Sequence, residues 1–477
     1  MDVFETYSSI ESAPCLANIT GAEQECFTLT VPADWDNPSL EATVEIHATV
    51  VRTSQTPQDT TPVVYLPGGP GGDLPTDLTD GAEFINLLVS ERPFVFFTPR
   101  GTVGSLPSLE CPDIEADSEL LGGAACIAEL RAAGQDLSVF TSMQSRHDVE
   151  ALRRNLEYER WHVLGESYGT VLAQLVMDSY PEGIESVVLA SVAKLDPASF
   201  FSFAKNIRSQ VEAYFEACEA DAMCTAAYPE FRTRFLALLS TLDEDPLQLP
   251  LPQGQFVPGP DGELVNYVTL DASWLVYTAA GELALSAETI GFMPRLVDEL
   301  ERGDTTTAAE VPAADIYPEP QPGEPSIAGA VRGTLDAGGF ILQCNDTFSA
   351  LSASGVVPNL DDPVEAALAD LPGTSYEEWA AVCDELADGG GLSIPAAPVE
   401  SSLPTLLLGG AFDDATPAHF ADVVASRLSR ETIVVSPTSA HGVLFTECGL
   451  TAALTHFREP GAVAAEACDS DGPITWH

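Results

Sequence analysis

The residues best suited to chemistry in this sequence form the motif G-E-S-Y-G at positions 165–169. Glycines on both sides of a serine relieve crowding in a tight turn that leads from a strand into a helix. Such a turn lifts the serine oxygen above the sheet, at a helix N-terminus that favours negative charge. Because a strand is predicted before this motif and a helix after it, we expect Ser167 to be a nucleophile.

A glycine-rich run, G-G-P-G-G at positions 68–72, follows a predicted strand upstream of the serine. Backbone N–H groups of such a turn can point toward a reacting carbonyl and, with the N–H group after the nucleophile, form an oxyanion hole. We expect Gly68, Gly69 and Tyr168 to supply these groups. A plain flexible loop is the alternative. A phosphate-binding loop would need Gly-Lys-Ser/Thr at its end, and Asp73 follows the run instead.

A serine nucleophile needs a base, and the base needs a carboxylate that orients it. In the chain order Ser…Asp…His of the hydrolases, both groups follow the serine. Of the seven histidines, only His441 occupies a loop directly after a late predicted strand, so it is the expected base. The carboxylate is expected in the run D-D-A-T-P at 413–417, where Asp413 and Asp414 compete for the role.

Short strands that alternate with helical patterns must position these motifs. Apolar runs rich in β-branched residues predict strands at 44–52, 62–67, 93–98, 161–165, 184–192, 404–409 and 432–436. Helical periodicity predicts helices at 145–159, 169–180, 200–217, 228–242, 417–428 and 450–457. This alternation predicts an α/β protein with a mostly parallel sheet that is flanked by helices.

The alternation is interrupted between the predicted strands at 184–192 and 404–409, where helical patterns and segments rich in proline and glycine take over. We therefore expect one α/β core that is split by a large, mainly helical cap insertion. The predicted boundaries are 1–195 for the first part of the core, 196–395 for the cap and 396–477 for the C-terminal part of the core.

The chain of 477 residues is strongly acidic, with 73 Asp and Glu, 19 Lys and Arg, and a formal net charge of −54 at pH 7. Such a surface repels phosphate backbones and anionic lipids, so nucleic-acid binding is disfavoured. No apolar run approaches the roughly 18 residues that span a bilayer, so we expect no membrane insertion. Adaptation to high salt and secretion from a GC-rich genome explain the charge equally well, and some of the acids could dock a cationic substrate group.

The predicted chemistry requires no metal or organic cofactor, and the sequence leaves the oligomeric state open.

Ten cysteines fall into five pairs of close neighbours along the chain. Nearest-neighbour pairing predicts disulfides 15–26, 111–126, 218–224, 344–383 and 448–468, and the absence of C-x-x-C gives zinc ribbons no support. Disulfides indicate an oxidising compartment, so we expect a secreted or periplasmic protein whose signal peptide is absent from this sequence. A cytosolic protein with ten buried free thiols is the alternative.

Four motifs together resemble the prolyl and tripeptidyl aminopeptidases, namely those at 68–72, 165–170, 413–417 and 440–442. The run C-N-D at 344–346 is also similar to that family. The resemblance implies an α/β-hydrolase fold with an inserted helical cap and a TAP-like C-terminal region. By the family's D-x-x-T-P pattern it implies that Asp413 is the triad acid, with Asp414 second.

The sequence departs from the aminopeptidase pattern in one loop. It resembles a second family, the serine carboxypeptidases, less closely than it resembles the aminopeptidases. The family's D-x-R-G-x-G after the third core strand is T-P-R-G-T-V at 98–103 here, and Asp73 stands where tripeptidyl relatives often have serine. Serine carboxypeptidases share G-E-S-Y-G, but their carboxylate-binding asparagine before the glycine pair is Pro67 here.

These observations predict a secreted serine hydrolase that works through an acyl-enzyme. The resemblance implies release of residues or short peptides from free N-termini, with the substrate α-ammonium held by cap carboxylates, of which Asp346 is a candidate. An esterase, lactonase or amidase that acts on small acyl compounds would use the same triad. A non-catalytic binding protein on a hydrolase fold is the third alternative.

Overall fold

Short apolar runs build the central sheet of the computed structural model, which describes residues 2–57, 59–71, 82–116, 118–197, 202–251, 257–258, 264–311, 331–348, 357–371, 375–386, 394–462, 468 and 472–477. Within these residues, nine strands form one sheet in the order β1-β2-β3-β5-β4-β7-β8-β14-β15. Their bounds are β1 Ser9–Ser12, β2 Glu23–Pro32, β3 Thr43–Arg52, β4 Val63–Leu66, β5 Phe94–Phe97, β7 Trp161–Glu166, β8 Ile184–Ala190, β14 Thr405–Gly410 and β15 Glu431–Ser436. The strands from β5 to β15 in this order are parallel, whereas β1, β2 and β3 pair antiparallel and β3 pairs antiparallel with β5.

The mostly parallel sheet predicted from the sequence is therefore confirmed, but its first two strands were missed. β1 and β2 form an antiparallel extension, and β2 pairs with β3 along ten residues, from Glu23 opposite Arg52 to Pro32 opposite Thr43. The burial of β2 alternates only in its second half, so its sequence carries a weak strand pattern.

Both faces of the sheet are buried, which explains why its central strands are almost uniformly apolar. Val64 and Leu66 of β4 point to one hydrophobic cluster, while Val63 points to another on the opposite face. Every residue of β5, β7 and β14 is buried. Helices cover both faces and leave the ends of the strands open to form a site.

Helices and short strands complete the described chain. The helices are α1 Val3–Tyr7, α2 Ala82–Leu88, α3 Glu119–Ala132, α4 Ser142–Asn155, α5 Tyr168–Ser179, α6 Phe203–Ala220, α7 Ala222–Ala227, α8 Phe231–Glu244, α9 Ala280–Leu283, α10 Ala287–Ile290, α11 Met293–Leu300, α12 Gly338–Asp346, α13 Pro363–Ala367, α14 Tyr376–Cys383, α15 His419–Ala425 and α16 Glu447–Arg458, with a π-helical turn at Trp274–Ala279. The remaining strands are β6 Glu110–Ala116, β9 Leu247–Pro250, β10 Val257–Pro258, β11 Leu264–Val265, β12 Tyr267–Leu270 and β13 Val331–Asp336.

Helix ends follow local capping more closely than periodicity. The predicted helix at 145–159 begins earlier, at Ser142, because the Thr141 side chain accepts a hydrogen bond from the backbone of Gln144. It ends at Asn155, and the helix predicted at 417–428 is shortened to α15.

The chain between β8 and β14, which we call the insertion, adds no described strand to the central sheet, because β8 and β14 are direct neighbours. Its first half packs α6, α8 and α11 around a hydrophobic cluster of its own. Its second half pairs β13 with β6 and packs α12 and α14 against α3. The boundaries 1–195, 196–395 and 396–477 stay predictions.

The five predicted disulfides are confirmed, because all ten cysteines lie in the described residues and pair with their nearest neighbours. Among the described helices, none is both long and apolar enough to cross a membrane.

Candidate active site

Ser167 lies at a sharp turn between β7 and α5, with backbone angles φ 53° and ψ −120°. A left-handed backbone at a non-glycine residue costs on the order of 1–3 kcal/mol, so the surroundings must hold it in place. A Cβ atom on Gly165 would lie 2.5 Å from the carbonyl oxygen of Gly169, and one on Gly169 would lie 1.9 Å from that of Leu66. Both glycines of the motif are therefore required by close backbone packing around the turn.

His441 lies next to the serine, in the loop that follows β15. Its Nε2 atom is 3.0 Å from Ser167 Oγ, and its Nδ1 atom is 3.0 and 3.1 Å from the two carboxylate oxygens of Asp413. The following residue, Gly442, has φ 84° and donates its N–H to Ser191 Oγ at 3.0 Å, which fixes the loop. The structure thus brings the three predicted triad residues into one hydrogen-bonded chain.

The two adjacent aspartates after β14 have different surroundings. Asp413 is 1% exposed and accepts hydrogen bonds from the backbone of Ala415 and Thr416, at 3.0 and 2.6 Å, and from Thr416 Oγ1 at 2.9 Å. Thr416 Oγ1 also lies 3.3 Å from His441 Nδ1. Asp414 is half-buried and takes no part in this network. The geometry therefore places Asp413, and not Asp414, against the histidine.

The carboxylates around His441 decide its protonation. Burial lowers the pKa of the imidazole, but the hydrogen bond to Asp413 and the charges of Asp413, Glu166 and Asp414 outweigh it and raise the pKa to about 9. The histidine of the free protein is consequently protonated at neutral pH. It can accept a proton from Ser167 only in the fraction of molecules in which it is neutral, and that fraction grows as the pH rises to about 9.

The glycine-rich loop lies directly over the turn that carries the serine. A Cβ atom on Gly68 would lie 3.2 Å from the Ser167 Cβ and 3.0 Å from a carboxylate oxygen of Glu166. Gly69 has φ 106°, a conformation that favours glycine. Gly68 thus packs against the serine, Gly69 follows it in the loop, and Tyr168 is the first residue of α5 after the serine. Gly72 and Asp73 lie outside the described residues.

Asp346 lies at the end of α12 and is 4% exposed. It accepts hydrogen bonds from the backbone N–H and the Oγ of Ser142, at 2.9 and 2.6 Å, and that Oγ also contacts the hydroxyl of Tyr168. Burial raises the pKa of Asp346 to about 7, although the hydrogen bonds from Ser142 oppose this effect. Ser142 Oγ thus links the Asp346 carboxylate to the Tyr168 hydroxyl. The predicted role of Asp346 as a substrate ligand stays a prediction.

Several residues near the site were not singled out from the sequence. Glu166 accepts a hydrogen bond from the Tyr65 hydroxyl at 3.2 Å and acts on the His441 pKa. Its position inside the G-E-S-Y-G motif was the available signal. Arg100 lies in the T-P-R-G-T-V run, which differs from the aminopeptidase pattern. It is fully buried and donates two hydrogen bonds of 2.7 Å to Asp148.

The described residues contain no group of three or more His, Cys, Asp or Glu side chains arranged to hold a metal ion.

Comparison with known proteins agrees with this architecture. Residues 61–222 match the family model described as alpha/beta hydrolase fold. Tripeptidyl aminopeptidase of Streptomyces lividans is 26% identical over 192 residues, which cover 35% of each chain. A probable proline iminopeptidase of Streptomyces coelicolor is 30% identical over 135 residues, 28% of this chain and 33% of the relative.

The matched segments span about a third of the length of these relatives. The solved structure of proline iminopeptidase from Mycobacterium smegmatis aligns with 93% of this chain and 98% of its own, at 15% identity and a TM-score of 0.36. The chain has the α/β-hydrolase fold, and over part of its length it resembles the tripeptidyl aminopeptidases and proline iminopeptidases.

Proposed function

We propose that this protein is a serine hydrolase, and the hydrogen-bonded chain from Ser167 through His441 to Asp413 carries the proposal. Ser167 Oγ attacks a substrate carbonyl while its proton passes to His441 Nε2, and Asp413 holds the proton on Nδ1. Backbone N–H groups of Gly69 and Tyr168 bind the oxyanion, with Gly68 beside them. His441 then protonates the leaving group, and a water molecule hydrolyses the acyl-enzyme.

Labelling with a fluorophosphonate tests the triad without knowledge of the substrate. The native protein should be labelled at Ser167, and Ser167→Ala should remove the label because it removes the hydroxyl that lies 3.0 Å from His441 Nε2. Ser402→Ala is a suitable control, since Ser402 is an exposed serine in the segment before β14. A native protein that takes no label would support the non-catalytic alternative and refute the proposal.

The proposed substrates are peptides with a free N-terminus, from which the enzyme releases residues or short peptides. The resemblance to tripeptidyl aminopeptidases and proline iminopeptidases supports this class. The surroundings of Asp414 support it independently. Among the described side chains, no Lys or Arg forms an ion pair with its half-buried carboxylate; burial and the charge of Asp413 raise its pKa, and the charge of His441 opposes them.

Asp414 is also close to two tyrosines of the insertion, Tyr214 and Tyr277, whose pKa values are raised by burial and then by its charge. The charge of His441 compensates this partly desolvated carboxylate only in part, since its pKa stays raised, and a substrate α-ammonium would add positive charge beside it. Asp414 is also close enough to His441 for its charge to raise the pKa of the imidazole, so an ammonium bound there would lie beside the proposed triad. We therefore add Asp414 to Asp346 as a candidate for the amine contact.

Matched substrates separate an aminopeptidase from an esterase, lactonase or amidase with the same triad. Aminoacyl and tripeptidyl anilides should be hydrolysed only with a free amine, and N-acetylation should abolish turnover. Asp414→Asn should lower kcat/KM for free-amine substrates by about ten-fold or more, the scale of one charge-assisted contact, and leave fluorophosphonate labelling intact. Asp422→Asn, at an exposed position of α15, controls for the loss of one charge. Equal turnover of the free and acetylated forms would favour the small-molecule hydrolase.

The proposed compartment is the exterior or the periplasm. Five disulfides join all ten cysteines, and such bonds persist in oxidising compartments. Thiol titration of the protein isolated from its native source under alkylating conditions should detect no free cysteine; ten reactive thiols after denaturation would contradict this location.

A further inference from the structure

Two buried amides on α6, the first long helix of the insertion, contact the loop that carries the proposed triad acid. Asn206 and Gln210 lie one helical turn apart and are 6% and 1% exposed. Asn206 Nδ2 donates to the carbonyl oxygen of Ala415, and Gln210 Nε2 donates to that of Phe412, both at 2.9 Å. The two carbonyls flank Asp413, so α6 holds the loop on both sides of the acid.

Apolar packing fixes the same loop to the insertion. Phe412 is 1% exposed and belongs to the hydrophobic cluster of the insertion, although it lies only two residues after the end of β14 in the central sheet. Its ring meets Tyr214, one further turn along α6, at 4.9 Å in an edge-to-face arrangement. Tyr214 in turn donates its hydroxyl to the carbonyl oxygen of Ala280 at 2.8 Å. The loop is thus anchored to the insertion at three successive turns of α6.

The direction of the Asp413 carboxylate depends on this backbone. Its hydrogen bonds from Ala415 and Thr416 are local, so they hold the side chain relative to the loop but not the loop relative to His441. Backbone hydrogen bonds from Ala411 to Ser436 and from Phe412 to Ser439, at 2.9 and 3.0 Å, tie the start of the loop to the segment before His441. The amide contacts from α6 add a restraint from the insertion, on both sides of Asp413.

We propose that Asn206 and Gln210 are positioning residues that direct Asp413 toward His441, so that the insertion takes part in assembling the triad. This inference rests on the proposed triad. It makes the insertion more than a cover over the site, because a displacement of α6 would move the acid away from the histidine.

Substitutions that remove the amide donors but keep the side-chain volume test the inference. Gln210→Met and Asn206→Leu each remove one hydrogen bond to the acid loop. Gln174→Met is the matched control, because Gln174 is also 1% exposed and its Nε2 donates to two backbone carbonyls, those of Thr170 and Ala193, away from the acid loop. Thermal unfolding reports any general loss of stability, and only variants that retain a cooperative transition are compared.

Two measurements report specifically on the Asp413–His441 contact. The pH dependence of fluorophosphonate labelling reads the pKa of His441, and the downfield proton resonance of the Nδ1–H group reads the hydrogen bond itself. Both α6 variants should lower the midpoint of the pH dependence by about one pH unit or more and should shift or broaden the resonance, since contact with Asp413 raises that pKa. The control should lose stability without either change.

An unchanged midpoint and resonance in both α6 variants would overturn the inference, whatever their stability. If Gln210→Met does not fold, Asn206→Leu and the milder Asn206→Ser carry the same expectation at the other end of the loop. Failure of the proposed function is distinct, because it appears as a native protein that takes no label. The resonance still tests the positioning role in that case, since it needs no turnover.

Discussion

Replacing Asp346 by asparagine should stabilise the protein at alkaline pH and remove part of the pH dependence of its stability. The carboxyl is 4% exposed, and its only hydrogen-bond donors among the described residues belong to Ser142. Burial raises its pKa from the ordinary 3.8 to about 7. The folded protein therefore binds this proton more tightly than the unfolded chain does.

The sign and size of the effect follow from linkage. The stability that Asp346 contributes in its protonated form is fully present below pH 3.8 and is lost as the pH rises through about 7. Each pKa unit corresponds to about 1.4 kcal/mol, so the rise from 3.8 to about 7 corresponds to about 4 kcal/mol. Asparagine remains neutral, and its amide can accept from the Ser142 N–H and donate to the Ser142 Oγ. Asp346→Asn should thus match the native protein near pH 4 and exceed its stability by up to about 4 kcal/mol at pH 8.

Denaturant unfolding followed by fluorescence, at constant ionic strength from pH 4 to pH 8, measures this difference. Subtracting the two curves cancels the other titrating groups, provided that they are unaffected by the substitution. Asp221→Asn is a control whose difference should stay nearly constant over this range, because hydrogen bonds from the backbone of Cys224 and Met223 lower the pKa of this N-cap residue from 3.8, so that it titrates below pH 4. A difference between Asp346→Asn and the native protein that stays constant from pH 4 to pH 8 would refute the reasoning.

Two further expectations concern the histidine and the buried ion pair. Because the pKa of His441 is raised to about 9, kcat/KM should increase with pH along a limb whose midpoint lies at about 9. Glu166→Gln should move this limb to lower pH by removing one of the negative charges that favour the protonated imidazole. A limb near the ordinary value of 6.5 in both proteins would contradict this account. Arg100→Met should reduce the free energy of unfolding by about 3–5 kcal/mol, because it leaves the fully buried Asp148 without its cation. Adding Asp148→Asn should restore part of the loss in denaturant titrations, and a double variant no more stable than the single one would argue against an uncompensated buried charge.

Local constraints explain what the sequence predicted well. The G-E-S-Y-G turn was recognisable because its geometry tolerates no Cβ atom at Gly165 or Gly169, so the motif itself specifies the turn. The disulfides joined neighbours along the chain, where short loops bring cysteines together. The parallel strands were visible because burial on both faces leaves continuous apolar runs.

Features that depend on distant parts of the chain were not predictable in the same way. The antiparallel strands β1 and β2 and the pairing of β13 with β6 join segments far apart in sequence or weak in pattern. The run C-N-D singled out Asp346 in the sequence but did not indicate what surrounds its side chain. Only the packing of α12 against Ser142 and Tyr168 shows that its carboxyl is buried.

The sequence by itself determined that a serine, a histidine and one of two aspartates stand in hydrolase order on an α/β chain, because each belongs to a motif with a local physical requirement. The resemblance to the aminopeptidases favoured Asp413 over Asp414, but only the tertiary structure shows the contact between Asp413 and His441. Asp413 and Asp414 are the same residue type at neighbouring positions. The direction of each side chain depends on the hydrogen bonds within the loop and on the contacts with α6. Here Thr416 on one side and the amides of α6 on the other direct Asp413 to His441.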